Sequence, residues 1–388
     1  MMIEYSNRLK ALPPYLFAQM EKLQEEKRNA GVDMISFGIG DPDLPTPLFI
    51  RKALAHAAMD TSTHNYSSAQ GEKEFREAVS EWMKKRFNVD VDSEKQVCAL
   101  IGSKEGIANI GRAFINPGDK VLCPDPAYPV YAQGSTILCD GVPIRMPLLE
   151  KNHFLPELSK FHGTKAKMIY ANYPNNPIGA VASEGFMKEL AEFSQKEHTV
   201  LCYDNAYSEF TFDDYQATSI LEHTESAIEF HSLSKTFCMT GDRIGFAVGD
   251  ARLIEGLRKV KSQIDSGNPV YIQKAAIAAL SSYTGKKRPK EMEELMQEYA
   301  KRRDVMVDGL RELGFDAQKP KGTFYLWLRL RPEDGKSLDF VTKMINVGVA
   351  LTPGSGFGEH GEGYVRFALT QPIPRIEEAL ARMKKVLA

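Results

Sequence analysis

The chain has little that would staple it together or carry it into a membrane. Its five cysteines (Cys98, Cys123, Cys139, Cys202 and Cys238) are odd in number, scattered, and form no CxxC pair. That argues against a disulfide framework or a cysteine zinc site and suits a reducing compartment. Four of them lie in or beside apolar stretches and read as small core residues. An excess of one charge is missing too. Lys and Arg number 49 against 51 Asp and Glu, a formal net charge of −2. No overall positive field is there to draw nucleic acid or an acidic membrane. The short run Lys286-Lys287-Arg288 reads as a solvated helix face. The eight histidines show no HxxxH spacing, so no catalytic metal is expected. The first residues mix Glu4, Arg8 and Lys10 with Pro13 and Pro14, without the apolar core of a signal peptide. An uncharged stretch such as Pro126 to Cys139 is too short and too polar to span a bilayer. These absences predict a soluble, cytoplasmic protein.

What is present is enough chain for more than one core: 388 residues predict two or three structural units. From about residue 95 to 250, short apolar runs alternate with helical patterns. Val97–Ile101, Lys120–Cys123, Met168–Asn172, Thr199–Asp204, Ala227–Ser232 and Ile244–Gly249 read as strands. Ser183 to Lys196 reads as a helix with Phe186, Leu190 and Phe193 on one stripe. Such alternation predicts an α/β fold with a largely parallel sheet covered on both faces. The pattern then changes. Glu291 to Leu313 is a long charged amphipathic helix, followed by the strand Thr323–Leu328, a helix near Leu338–Ile345, the strand Tyr364–Leu369 and a terminal helix from Ile376. We expect a large unit over 46–288, a smaller α+β unit over 289–388, and an arm over 1–45 that joins the smaller unit. Trp82 and Trp327 fall in apolar-periodic segments and are expected in the core.

The chemistry concentrates in Ser232-Leu233-Ser234-Lys235-Thr236-Phe237 and the following Gly241-Asp242-Arg243. An aldehyde cofactor needs a lysine amine to form an imine, and that amine must be partly unprotonated. Nearby positive charge lowers a lysine's pKa, and Arg243 is placed in the sequence to supply it. With Ser232, Arg243 would also suit a phosphate dianion. A surface lysine in a polar loop is the plainer reading of that segment taken alone. Upstream, Asp204 ends a strand, where a parallel sheet presents residues to its ligand crevice. A carboxylate there would keep a pyridine nitrogen protonated, though aspartate also caps turns and helices. Tyr207 would donate to a ring oxygen. Gly102-Ser103-Lys104 joins a strand to a helix and makes a phosphate cradle from free N–H groups. Tyr128 could stack on an aromatic ring. Arg366 sits in an otherwise apolar strand, where a planar anion such as a substrate carboxylate would satisfy it; an internal salt bridge would too. Gly356-Phe357-Gly358-Glu359-His360-Gly361 fits G-x-G-x-x-G but precedes a strand, so it reads as a mobile loop near a substrate mouth and not as a dinucleotide site.

Taken together and in this order, Asn175-Asn176-Pro177-Ile178-Gly179, Asp204-x-x-Tyr207, Ser232-x-Ser-Lys235, Arg243 and Arg366 resemble the fold-type I, class I/II aminotransferases over nearly the whole chain. The resemblance implies pyridoxal 5'-phosphate as cofactor, with Lys235 its covalent carrier and the proton carrier of the 1,3-shift. It implies Asp204 at the pyridine nitrogen, Asn176 and Tyr207 at the ring oxygen, and Tyr128 stacked on the ring. Ser103, Lys104, Ser232 and Arg243 would hold the phosphate, with Tyr66 reaching in from the partner of a homodimer. Arg366 would bind the substrate α-carboxylate, with Gly40 and Asn176 close by, and Asn268 is a second candidate to cross the dimer interface.

Within that family, Phe37 to Pro47, Gly102 to Gly106 and Glu229 to Lys235 look most like the bacterial LL-diaminopimelate aminotransferases. The implied reaction is amino transfer between LL-diaminopimelate and 2-oxoglutarate, in lysine biosynthesis. Tyr66 to Gln70 lacks the glutamate of plant-type members, and Asp242 stands where many relatives have tryptophan. Lys261 and Gln263 occupy the region where animal-type aspartate enzymes carry an arginine. Aspartate, alanine or aromatic aminotransferases and C–S lyases of the same fold are the alternatives. A sensor domain of a transcription factor would need a DNA-binding segment, and there is no basic one to serve it.

Overall fold

The computed structural model describes residues 3–13 and 16–387; Pro14 lies outside them. Its centre is a seven-stranded sheet. In chain order the strands are β1 (Val97–Leu100), β2 (Lys120–Asp125), β3 (Val142–Pro147), β4 (Met168–Asn172), β5 (Val200–Asp204), β6 (Ala227–Ser232) and β7 (Gly245–Gly249). Across the sheet they run β1-β7-β6-β5-β4-β2-β3. All neighbours are parallel except that β7 runs antiparallel to both β1 and β6.

Apart from the edge strand β3, the strands are largely buried on both faces, and the residues of β2, β4 and β5 alternate between two cores. Val121, Cys123, Met168, Tyr170 and Cys202 pack on one side with Ile107, Ile110 and Ile254. Leu122, Ile169, Ala171, Leu201 and Tyr203 pack on the other with Phe186, Met187 and Leu190. That is the two-residue period of a strand covered by helices above and below. The helix Glu184–Glu197 is started by Ser183, whose side chain accepts from the Phe186 N–H, and ended by His198 in a left-handed conformation. Of the five cysteines, Cys98, Cys123, Cys202 and Cys238 are buried and Cys139 is half-buried.

Two departures from the sequence reading have plain causes. β3 was not among the expected strands. It carries Pro143 and Pro147, which break the apolar alternation, and the sheet tolerates them because β3 is an edge. Trp82 is buried, but Trp327 is only half-buried, its ring stacked on Tyr364 at 5.3 Å. It lies on a strand of the small sheet, beside the cavity loop and outside the core.

That small sheet is antiparallel and contains β8 (Tyr325–Arg329), β9 (Thr352–Pro353) and β10 (Tyr364–Ala368), in the order β9-β10-β8. The helix Lys290–Glu312 precedes it and buries Met292, Met296, Tyr299, Met306, Val307 and Leu310. The N-terminal segment meets this region directly: Ile35 and Ser36 pair in parallel with Val349 and Ala350. The Ala368 N–H then donates to the Phe37 carbonyl. Residues 38–41 are thereby delivered to the mouth of the cavity described next.

Candidate active site

The carboxyl ends of β4, β5 and β6 open into a cavity of about 640 Å³. It is lined by Gly40, Ser103, Lys104, Tyr128, Asn176, Asp204, Tyr207, Ser232, Lys235, Arg243 and Arg366. Eleven expected residues therefore meet in one place. Tyr66 does not join them. It is 92% exposed and lines a separate surface hollow with Tyr271. Asn268 lines the same hollow as Tyr66 but is only 1% exposed, and its side-chain amide donates to the carbonyls of Leu100 and Arg243 of its own chain, bracing them. Lys261 is also remote from the chemistry, fully buried between Asp265 at 2.7 Å and Glu105 at 3.4 Å.

Lys235 is one of the residues that line the cavity. Ser232 ends β6 and caps the short helix Leu233–Thr236, its hydroxyl accepting from the Ser234 N–H at 3.3 Å. That turn aims the Lys235 amine across the cavity, where Nζ donates to the Gly40 carbonyl at 2.6 Å. On one flank lies a cradle for an anion. Gly102 (φ +96) precedes the helix Ser103–Phe114, and a side chain on Gly102 would sit 2.4 Å from the Arg243 guanidinium. Only glycine lets the arginine lie against this helix start. Arg243 itself has a left-handed backbone, φ +53. Its guanidinium donates to the carbonyls of Thr240 (2.8 Å) and Ile101 (3.1 Å). Lys104 places its ammonium 5.9 Å from the Tyr128 ring centre.

The opposite flank is anionic. Asp204 ends β5 fully enclosed, and burial pushes its carboxyl up to about 6, against the lowering effect of the Tyr131 hydroxyl and the Ala206 N–H. Tyr131 donates to Oδ2 at 2.6 Å and Ala206 to Oδ1 at 3.2 Å. Among the described residues Asp204 forms no ion pair. A buried carboxylate in that condition is satisfied by a cationic partner such as a protonated ring nitrogen.

The third corner takes a carboxylate. Arg366, on β10, donates through Nη1 to Asn176 Oδ1 at 2.9 Å and through Nη2 to the Gly38 carbonyl at 2.8 Å. Its Nε is buried without a hydrogen-bond partner among the described residues, and burial holds the guanidinium below its ordinary range. Asn176 is held in turn by Asn172, whose Oδ1 accepts the Asn176 N–H at 2.8 Å while its amide donates to the Asp204 carbonyl at 2.7 Å. The arginine lies over Tyr325 at 4.2 Å and Phe357 at 4.7 Å. Tyr325 also shares a 3.0 Å hydrogen bond with the Tyr207 hydroxyl and packs so closely on Gly40 that any side chain there would collide with it.

The sequence reading missed Tyr131, Tyr325 and Phe357 as site residues. Tyr325 lies in a segment read only as a strand, and Phe357 was visible only as part of a loop near the mouth. Tyr131 had no local signal, because its partner lies 73 residues along the chain.

The donor set fits pyridoxal 5'-phosphate. A buried carboxylate suits its ring nitrogen, a helix start with Arg243 its phosphate, and a central amine its aldehyde. The family model for aminotransferase class I and II matches residues 32–383. An LL-diaminopimelate aminotransferase of Aquifex aeolicus is 46% identical over 392 residues, covering 99% of this chain and all of that one. One from Halothermothrix orenii is 47% identical, covering 98% of both. A solved aspartate aminotransferase of Thermus thermophilus, a single mutant, superposes with a TM-score of 0.93 at 26% identity, over 99% of this chain and 100% of that one. A cavity assembled this way, in a chain matched from end to end, makes this protein a member of the class I and II aminotransferases, a pyridoxal 5'-phosphate-dependent enzyme that transfers amino groups.

Proposed function

We propose that the enzyme transfers an amino group between LL-diaminopimelate and 2-oxoglutarate in the cytoplasm, as a step of lysine biosynthesis. The observation that carries the substrate is full-length identity of 46% and 47% with two relatives bearing that name. The observation that carries the reaction is the shared cavity of Lys235, Asp204 and Arg366.

Bound pyridoxal 5'-phosphate supplies the electron sink for the charge left when the substrate's α C–H is broken. The protein's part is to bind, orient and move a proton. Lys235 would carry the cofactor, and its Nζ would accept the substrate's α proton and return it. Asp204 would keep the ring nitrogen protonated, and Tyr207 with Asn176 would serve the ring oxygen. Tyr128 would stack on the ring. Ser103, Lys104, Ser232 and Arg243 would hold the phosphate. Arg366 would grip the α-carboxylate with its fork, oriented by Asn176, with Gly40 close by.

Residues 46–288 are the cofactor-binding unit, and 289–388 with the 1–45 arm form the unit that brings Arg366 and residues 38–41 to it. The exposed Tyr66 completes the phosphate site of a partner subunit, which makes the enzyme a homodimer with shared sites.

The test is a half-reaction panel in which the loaded enzyme is mixed with single amino acids and its absorbance followed. LL-diaminopimelate should convert the cofactor far faster than aspartate, alanine or phenylalanine. Inert diaminopimelate with rapid conversion by an aromatic or four-carbon amino acid would overturn the substrate while leaving the reaction in place.

A further inference from the structure

The contact between Tyr131 and Asp204 has no counterpart among the roles assigned so far. Tyr131 opens a six-residue π-helix, Tyr131–Thr136, immediately after the cavity residues Tyr128, Pro129 and Val130. Its ring is fully buried and stacked on Tyr170, centroids 5.1 Å apart and planes 19° from parallel. Tyr170 is fixed in turn by hydrogen bonds to Ser135 and to the Ile107 carbonyl. The helix Ser103–Phe114 lies directly on this turn, because Gly111 has no side chain to strike Ser135. The phenol therefore has little freedom, and its hydroxyl ends 2.6 Å from Asp204 Oδ2. Burial holds that phenol well above its ordinary range, so it is a donor and the carboxylate the acceptor.

We propose that Tyr131 is a positioning residue for Asp204, holding the carboxylate ionised and in one plane so that it can pair with the protonated ring nitrogen of pyridoxal 5'-phosphate. This rests on the reading that Asp204 faces that nitrogen. A donated hydrogen bond stabilises a carboxylate most where water is excluded. The other titratable groups around Asp204 are the phenols of Tyr203 and Tyr207 and the imidazole of His231. His231 is already engaged by Glu229 at 2.7 Å. Tyr207 is hydrogen-bonded to Tyr325, and the Tyr203 hydroxyl donates to the Tyr173 carbonyl. Tyr131 is the side chain that donates to this carboxylate among the described residues.

The experiment measures the affinity of the cofactor-free full-length chain for pyridoxal 5'-phosphate from pH 5.5 to 8.5, by quenching of intrinsic fluorescence. Tyr131→Phe keeps the ring and its stack and removes only the donor. Without the donor the carboxyl takes up a proton more readily, so the acid-side loss of affinity should begin about one pH unit higher. The variant should then bind roughly fivefold more weakly near pH 6, approaching tenfold toward pH 5.5, and match the wild type near pH 8.5. Titrations of the cofactor itself are common to both proteins and cancel in the ratio. In an Asp204→Asn background the pH-dependent difference should vanish. A Tyr131→Phe deficit that is the same at every pH, or that persists in the Asp204→Asn background, overturns the proposal, since lost packing alone would act that way. If Tyr131→Phe does not fold, Tyr131→Met, which also lacks a donor and does not titrate, is measured by the same criterion. Asp204→Asn alone separates the two layers: if it binds the cofactor as the wild type does at every pH, the assignment of Asp204 to the ring nitrogen fails, whatever Tyr131 does.

Discussion

The Asp204 flank and the Arg366 corner of the cavity are built by opposite means. Asp204 is the last residue of a central parallel strand, and its support comes from Tyr131 and its own next turn. Arg366 comes from a three-stranded sheet and reaches partners on two distant segments, Asn176 and Gly38. One site is a rigid strand end and the other a convergence of three chain regions. The strand-end construction suits a cofactor that stays bound, and the convergence suits a ligand that must enter and leave. Asn172 bridges them, holding the Asp204 carbonyl and the Asn176 N–H at once.

Mutations sharpen that contrast, beginning with the residue between the two sites. Lys235→Ala should lower turnover by about 10⁴-fold, the upper range for losing a positioned acid–base group. Borohydride reduction and peptide mapping should find the cofactor fixed to Lys235 in the wild type and to no lysine in the variant. A reduced adduct on another lysine would break the assignment of both flanks.

At the substrate corner, Arg366→Lys should cost about 2–5 kcal/mol in kcat/KM, because a point charge cannot replace the fork and its neighbours are left unpaired. Its affinity for pyridoxal 5'-phosphate should not change. Loss of cofactor binding in this variant would show that the two flanks are not separable.

The cofactor flank predicts a pH effect on stability. Burial raises Asp204 from 3.8 to about 6. The folded chain therefore binds the proton more tightly than the unfolded one between those values, and stability falls as pH rises through that window, then levels. At neutral pH the buried charge costs the cofactor-free protein up to about 3 kcal/mol. Asp204→Asn should accordingly resist urea better than the wild type at pH 7.5, with the difference closing below about pH 4. An Asp204→Asn protein that is less stable at both pH values would remove this cost from the account.

The smallest effect is expected at Gly102. Alanine there would carry a left-handed φ of +96 and press on Arg243, costing roughly 1–3 kcal/mol of backbone strain. Cofactor affinity, read by fluorescence titration, should weaken while KM for the amino acid holds.

Most of the large sheet was legible because each buried strand is a compact apolar run between turn residues, as in Met168–Asn172 and Ala227–Ser232. β3 was hidden by its prolines. The catalytic set was legible as an ordered series of motifs, and eleven of those residues line one cavity. What stayed hidden were contacts whose only signal is three-dimensional. Tyr131 and Tyr325 are ordinary aromatic residues in sequence, and become site residues because Asp204 and Arg366 arrive beside them. Asn268 shows the reverse: a polar residue that looked available is spent on bracing Leu100 and Arg243. Its polarity was visible, but its burial was not.

The pairing of Ile35 and Ser36 with Val349 and Ala350 has a consequence for how the chain is made. The Thr352 hydroxyl bond to the Gly38 carbonyl closes a loop of 314 residues, and closing so long a loop requires that almost all of it already exists. The arm is synthesised more than 300 residues before its partner strand and must wait for it. The central sheet, whose strands all fall between residues 97 and 249, can condense in the interval. Residues 38–41 are thus made long before they are set in place, so the cavity acquires this part of its rim only after residues 349–352 have been made.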